Sequence, residues 1–455
     1  GERVLGYGDS AETIIACENF DTFKAFVDGK RMGDTLYIKV QTKLGEERIV
    51  PLKKSAYTES YVCYKTNASS YGFVGNNAQT LMSRGEPLTV LPNDTAYVRL
   101  TRFNGAAAEE FATAMRQFKT DGKKNLVIDL RGNGGGLISE AVEMLSLFLP
   151  RGKEVVSLRG KTPKGNRVYR TTGSPTFEHL PLVVLVDGQS ASAAEITAGT
   201  LQDYDRAVIM GQNTYGKGLV QVPMEMPYNT NLKLTTSKYY IPSGRCIQAI
   251  NYKHSGGGYK ERIADSLTHV FYTRHGREVR DGGGIKPDIE VKPDTMANIL
   301  VYLNRIDSSE VMFDYVTEYI SKHPAIAPAK EFKISDADFE DFKQRVIKSG
   351  FTYDRVSEKI LDELIKTAKF EGYYEGAKQE FDNLKAKFRH DLAGDLERNK
   401  QAICEMIELS IIPAYYYQKG TIEAALRNDK IMKEAERLLA NPDEYNKLLR
   451  PRKEK

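Results

Sequence analysis

The stretch Pro181–Gln221, PLVVLVDGQSASAAEITAGTLQDYDRAVIMGQNTYGKGLVQ, decides how this chain folds. It opens with an apolar, β-branched run from Leu182 to Val186 that ends at Asp187-Gly188, the pattern of a buried strand with a tight exit. Ser190-Ala191-Ser192-Ala193-Ala194 comes next, then Glu195 and an amphipathic run through Leu201. This predicts a helix with Ser190 or Ser192 near its N-cap. A serine there has its hydroxyl beside unpaired backbone N–H groups, which suit a developing oxyanion. A second apolar run, Ala207 to Met210, leads into the glycine-rich turn Gly211–Gly218, which carries Lys217 between two strand-like segments. From residue chemistry alone, the strongest hypothesis is a serine nucleophile with a lysine base.

Two other chemistries use similar loops. Gly211–Gly218 nearly spells a phosphate loop, but Gly218 stands where the magnesium-binding hydroxyl belongs. The next segment, Leu219-Val220-Gln221, is strand-like, which removes the helix N-terminus that a phosphate needs. Gly132-Asn133-Gly134-Gly135-Gly136 comes after a strand and opens a helix, as a dinucleotide loop does, but Leu137 occupies the third glycine position. Close backbone approach to a peptide, with one amide helping to bind an oxyanion, fits these glycines better.

Taken together, the motifs resemble those of the carboxyl-terminal processing, or tail-specific, proteases, which use a Ser–Lys dyad. The resemblance rests on the S-A-S-A-x-E run, with G-K-G-x-V-Q placed so that Lys217 lies twenty-five residues after Ser192. Further matches are Leu126–Gly136 (LVIDLRGNGGG), Lys238–Gln248 (KYYIPSGRCIQ) and Gly284–Val291 (GIKPDIEV), so the likeness covers roughly residues 1–293. Ala194 departs from the serine that many members carry. The resemblance implies Ser192 as nucleophile and Lys217 as base, with Gln221 and Asp203 steadying the lysine and the surrounding helix. It implies an oxyanion hole from the amides of Ala193 and a glycine of the loop, Gly135 or Gly136. It also implies a spiral αβ (ClpP/crotonase-like) core, no cofactor, and a bacterial periplasm or cell envelope. The rivals are a retired, PDZ-bearing scaffold that only holds peptides, and a crotonase-like acyl-transfer enzyme.

Composition sets the limits. The 455 residues suggest about three domains, and 41% hydrophobic with 28% charged residues is ordinary for a globular chain with a sizeable core. A net charge of +4 is too small to argue for nucleic acid. Cys17, Cys63, Cys246 and Cys404 are scattered, with neither metal spacing nor a disulfide framework. No run is long enough to span a membrane. His254, His269 and His275 in the polar insertion 249–283 fit no zinc pattern.

Strand–helix alternation over 93–293 predicts an α/β core. Residues 1–54 resemble part of a PDZ domain, with a helix over Phe20–Val27 and a hairpin from Asp34–Val40 and Glu47–Leu52. Its carboxylate-binding loop is expected upstream of Gly1, in a longer chain. That resemblance implies substrates that are unfolded or expose their C-terminal ends. Residues 55–92, with Tyr57, Tyr61, Tyr64 and Tyr71, read as a connector. Residues 294–455 read as a helical domain. Val356, Ile360, Leu361, Leu364 and Ile365 make one apolar face, and Ile431, Ala435, Leu438 and Leu439 another. A third helix, around Ile403, Met406 and Ile407, is expected to end at Pro413. These faces suggest a homo-oligomer or an adaptor docked through the C-terminal helices.

Overall fold

The computed structural model describes residues 3–41, 46–54, 62–65, 71–73, 94–228, 230–251, 259–260, 267–292, 296–305, 310–388 and 391–450. The chain forms two compact units, one of residues 1–57 with 294–427 and one of 58–293 with 428–455.

In the first unit, β1 (Arg3–Gly8), β2 (Ile15–Ala16), β3 (Thr35–Gln41) and β4 (Glu47–Lys53) form an antiparallel sheet in the order β2-β1-β3-β4. Helix α1 (Phe20–Asp28) starts at Asn19, whose side chain accepts from the Thr22 amide, as a helix N-cap does. The expected helix and hairpin are therefore present, each within a residue or two of its predicted bounds.

The second unit is built on a seven-stranded sheet. Its strands are β5 (Val62–Lys65), β6 (Tyr71–Phe73), β7 (Thr95–Leu100), β8 (Asn125–Asp129), β11 (Leu182–Val186), β12 (Val208–Gly211) and β19 (Ile289–Glu290), in the order β19-β12-β11-β8-β7-β5-β6. From β19 to β7 all pairings are parallel, while β5 adds antiparallel to β7. Part of the expected connector is thus sheet; Tyr57 and Tyr61 lie outside the described residues. Helices α2 (Ala107–Thr120), α3 (Ile138–Leu145) and α4 (Ala193–Asp203) bury Phe111, Met115, Leu145, Ile196 and Leu201 in one core with Ile128, Val184 and Ile209. A second sheet, β10-β9-β14-β13, joins β9 (Glu154–Gly160), β10 (Arg167–Arg170), β13 (Leu219–Met226) and β14 (Thr230–Tyr240). Two short pairs, β15 (Ile250–Asn251) with β16 (Tyr259–Lys260) and β17 (Val270–Tyr272) with β18 (Glu278–Arg280), lead back to β19.

A parallel sheet needs cover on both faces, and LVVLV is apolar at every position. Val183, Leu185, Val208 and Met210, which alternate with the residues of that core, are buried as well. Helix α12 (Lys430–Leu439) packs against β11 and β12, burying Ile431, Ala435, Leu438 and Leu439. In α13 (Pro442–Leu448), the Tyr445 hydroxyl accepts from Leu182 N (2.9 Å) and donates to Leu182 O (3.0 Å). The C-terminal helices are therefore divided: a boundary between the compact units falls at 293/294, but the helical segment does not run to the end of the chain as one body, since residues 428–450 group with the α/β core.

The rest of the helices lie in the first unit: α5 (Asn298–Leu303), α6 (Val311–Lys322), α7 (Asp336–Lys348), α8 (Val356–Phe370), α9 (Lys378–Phe388), α10 (Leu392–Arg398) and α11 (Lys400–Leu426). Their core gathers Phe339 and Phe342 with Ile403, Ile407 and Ile411. Pro413 does not end α11. The helix runs on to a break at Tyr417 (φ 54°), because Ile411 and Ile412 are buried and the Tyr416 hydroxyl donates to Ile326 O. Tertiary packing thus outweighs the hydrogen bond that proline cannot make.

Candidate active site

Three loops meet at the C-terminal ends of neighbouring parallel strands, the edge at which open α/β sheets place their sites. Gly132–Gly136 comes after β8, Asp187–Ser192 after β11, and Gln212–Gly218 after β12. They are tied directly to one another. The Ala191 amide donates to Asn133 O (2.9 Å) and the Tyr215 amide to Ser190 O (2.9 Å). The Ser190 hydroxyl donates to Leu130 O (2.8 Å), and the Gly132 amide to the Asp187 carboxylate (3.0 Å). Ser190 is thereby consumed by structure, which separates the two serines that residue chemistry alone left open.

Ser192 is the N-cap of α4, with φ 57° and ψ −115°. Positive φ on a residue with a Cβ stores strain of about 1–3 kcal/mol, held only where the surroundings over-determine it. Gly135 supplies part of that surrounding. A Cβ on it (φ +94°) would lie 2.7 Å from Ser192 Cβ and 2.9 Å from the Ala193 nitrogen. Only glycine lets the loop come this near. The Gly135 amide itself is taken by Asn133 Oδ1 (2.8 Å). The bridge between Phe103 and Gly136 uses Gly135 O and Leu137 N. This leaves the amides of Ala193, Gly134 and Gly136 without an acceptor among the described residues. Of the expected oxyanion donors, Ala193 and Gly136 are open, whereas Gly135 is occupied.

Sequence reasoning did not assign a role to Glu195, fully buried on the first turn of α4. Its carboxylate accepts from Ser192 N (2.9 Å), Thr214 Oγ1 (2.5 Å), Gly216 N (2.7 Å) and Lys217 N (2.9 Å). One side chain therefore joins the serine turn to the lysine turn. Burial pushes its pKa up to about 7, while the four donors pull the other way. The signal was there to read: an acidic residue three positions after a serine N-cap is the capping-box pattern.

Lys217 is half-buried. The buried Tyr239 hydroxyl donates to Lys217 O, and Gln248 Oε1 accepts from Gly218 N (2.5 Å). Gln221 stands on β13 at a register shift against β14, where a bulge re-aims side chains. Lys217 and Gln221 line a cleft of ≈ 440 Å³ together with Gly134, Gly188, Gln189, Ala191 and Tyr215.

Asp203 is not brought to this cleft. It ends α4, eleven residues from Ser192, about 16 Å along the helix. There it binds Arg245 Nη2 (2.9 Å) and accepts from Ser243 N (2.9 Å). Its carboxyl is raised by burial, with Arg245 pulling it down. It braces the far end of the helix. Among the described residues no group of His, Cys, Asp or Glu is arranged to hold a metal. His269 pairs with Asp281 and His275 with the Leu449 carbonyl; His254 lies outside the described residues.

This geometry agrees with what the chain is similar to, since residues 94–254 match the profile of peptidase family S41. They are a peptidase family S41 domain. Residues 302–439 match a second profile, "Probable PDZ-protease, C-terminal helical domain". The carboxy-terminal-processing protease of Bartonella bacilliformis is 43% identical over 164 residues, 34% of this chain and 37% of that one. The chloroplastic carboxyl-terminal-processing peptidase 1 of Arabidopsis thaliana is 36% identical over 168 residues, 37% of this chain and 34% of that one. The matched stretches are thus about a third of each relative's length. A solved photosystem II D1 C-terminal processing protease is 22% identical, covering 65% of this chain and 64% of that one with a TM-score of 0.36, too slight a likeness to carry an argument. Every residue of the cleft falls inside the S41 domain. No helix among the described residues is long and apolar enough to cross a membrane.

Proposed function

We propose that the chain is a serine endopeptidase that cuts proteins through a Ser192–Lys217 dyad. The observation that carries this reading is the Glu195 carboxylate, which joins the strained turn of Ser192 to the turn of Lys217 beside a loop with open amides. In the proposed cycle, Lys217 acts as the base and takes the proton of Ser192 Oγ as that oxygen attacks the scissile carbonyl. The oxyanion is held by Ala193 N and by a glycine amide of the loop, Gly134 or Gly136. Lys217 then protonates the leaving amine, and water, activated by the same lysine, frees the acyl chain. Gln221, which lines the same cleft, orients the lysine.

The finer parts of the reading follow the resemblance. The core takes the spiral αβ arrangement, and residues 1–54 are part of a PDZ domain that selects substrates by their C-terminal ends. By the same resemblance the site of action is a bacterial periplasm or cell envelope. The C-terminal helices support a homo-oligomer or an adaptor, with the exposed stripe of α8 as the contact.

The test is cleavage of an unfolded protein by the full chain. Ser192→Ala, Lys217→Ala and Lys217→Arg should each lower kcat by at least about 10³-fold while leaving the fold intact. Arginine keeps the charge but cannot act as a base. Each single histidine variant should keep its activity. A Lys217→Arg enzyme cutting at a near-normal rate, or one folded but dead histidine variant, would remove the dyad. Amidating the substrate's C-terminus should slow cleavage by a chain that carries the whole PDZ domain; equal rates would remove the C-terminal selection.

A further inference from the structure

We propose that Asp429 is a positioning residue for the catalytic glycine loop, so that the segment 428–450 completes the active site as well as covering the sheet. The proposal rests on the peptidase reading for its kinetic consequence, though not for its structural one.

Arg131 leaves β8 directly before Gly132–Gly136. Its guanidinium is held between two carboxylates that come from opposite ends of the unit's sequence. Asp129 takes Nε (2.9 Å) and Nη2 (2.7 Å), and also accepts from the Arg131 amide (3.0 Å). Asp429 takes Nη2 through Oδ2 (2.6 Å). Asp129 is itself fixed, since the buried Tyr97 hydroxyl donates to it (2.7 Å). The other oxygen of Asp429, Oδ1, accepts from Ile431 N (2.9 Å) and Met432 N (3.0 Å) at the start of α12. One carboxylate therefore caps a helix and fixes the arginine that opens the loop.

The helix does not depend on that ion pair for its place. Four buried apolar residues and the Tyr445 hydroxyl on Leu182 hold α12 and α13 against the sheet. The pair with Arg131 adds direction more than adhesion. A guanidinium fixed on both sides determines how the chain leaves β8. The next residue, Gly132, is held by Asp187, so the path to Gly134 and Gly136 is set at both residues. An oxyanion loop gains from this because donors aligned beforehand need no reorganisation during reaction, and displacement by about 1 Å costs on the order of 10²-fold in rate.

The experiment compares full-length Asp429→Asn, Asp429→Ala, Arg131→Gln and the double Asp429→Asn/Arg131→Gln, with Ser192→Ala as control. Asparagine keeps the helix cap and removes the negative charge that faces Arg131. Asp429→Asn should melt close to wild type, lower kcat by about 10–100-fold and leave KM within about twofold. Asp429→Ala should lose the same kcat and also melt lower. The double variant should be no slower than Arg131→Gln alone, since Asp429 acts through that arginine. Hydrogen exchange over residues 131–137 supplies a readout that needs no activity: Asp429→Asn should speed it about tenfold or more, with the rest of the sheet unchanged. Unchanged loop exchange in folded Asp429→Asn, wild-type kcat in that variant, or losses that multiply in the double would each overturn the proposal. Should wild type cleave no faster than Ser192→Ala while loop exchange still responds, the peptidase reading fails and the positioning role stands.

Discussion

Helices α8 and α12 present apolar stripes of the same kind, and the fold treats them oppositely. On α12, Ile431, Ala435, Leu438 and Leu439 are buried against β11 and β12. On α8, Leu361 is buried, but Val356, Ile360 and Leu364 are 51%, 60% and 51% exposed. Periodicity announces that a helix has an apolar face; it does not say what will cover that face, or whether this chain supplies the cover.

The largest effects should come from testing that contrast in the core. Leu438→Ala should destabilise the second unit by about 2–5 kcal/mol, as cavity-forming changes at buried leucines do, while Ile360→Ala should stay within about 0.5 kcal/mol. Denaturant unfolding of both variants checks this, and equal shifts would erase the distinction.

The two units should also answer pH differently. Glu195 is raised from the ordinary value of 4.5 to about 7 by burial, so the stability it contributes is full below 4.5 and is lost as pH rises through 7. Buried Asp203 and Asp288 are shifted in the same direction. Glu318 in the helical unit is lowered to about 2, chiefly by hydrogen bonds from Arg345 and Lys322, so its contribution is present above 4.5 and lost as pH falls through 2. Relative to Glu195→Gln, wild type should lose roughly 3 kcal/mol between pH 4.5 and 7.5. A flat difference across that range would mean that the four donors, and not burial, set the Glu195 titration.

Tyr445→Phe should cost less, about 1–3 kcal/mol, because it removes the hydroxyl that accepts from the Leu182 amide and donates to its carbonyl, without opening a cavity. Equal stability would mean that α13 rests on the sheet by its apolar contacts alone.

The smallest effect on stability belongs to the exposed stripe. Ile360→Asp with Leu364→Asp should leave unfolding within about 0.5 kcal/mol while lowering the particle mass seen by light scattering, or abolishing adaptor capture. Unchanged mass and unchanged capture would leave the stripe as plain surface.

Much of the site was legible in the sequence. The candidate nucleophile, base and oxyanion donors each sit where local sequence shows it: a glycine run after one strand, a serine at a helix N-cap, a lysine on a glycine turn. Glu195 and Asp429 were harder, because their roles consist of partners brought from elsewhere. Glu195 reads as an ordinary capping-box acid until Gly216 and Lys217 are placed on its carboxylate. Asp203 erred in the other direction. A motif attaches it to the site, while eleven residues of helix carry it to the opposite end.

By itself the sequence determined that β11 is apolar on both sides and so requires two covers, that a serine caps the helix after it, and that a lysine comes later on a turn. These are consequences of side-chain period and backbone conformation, which act within a few residues. Only the tertiary structure decided that α12, some 250 residues away, provides the second cover, and that its capping aspartate reaches the arginine at the head of the glycine loop. Apolar burial has no direction and names no partner, so the choice falls to whichever surface the chain can bring into register.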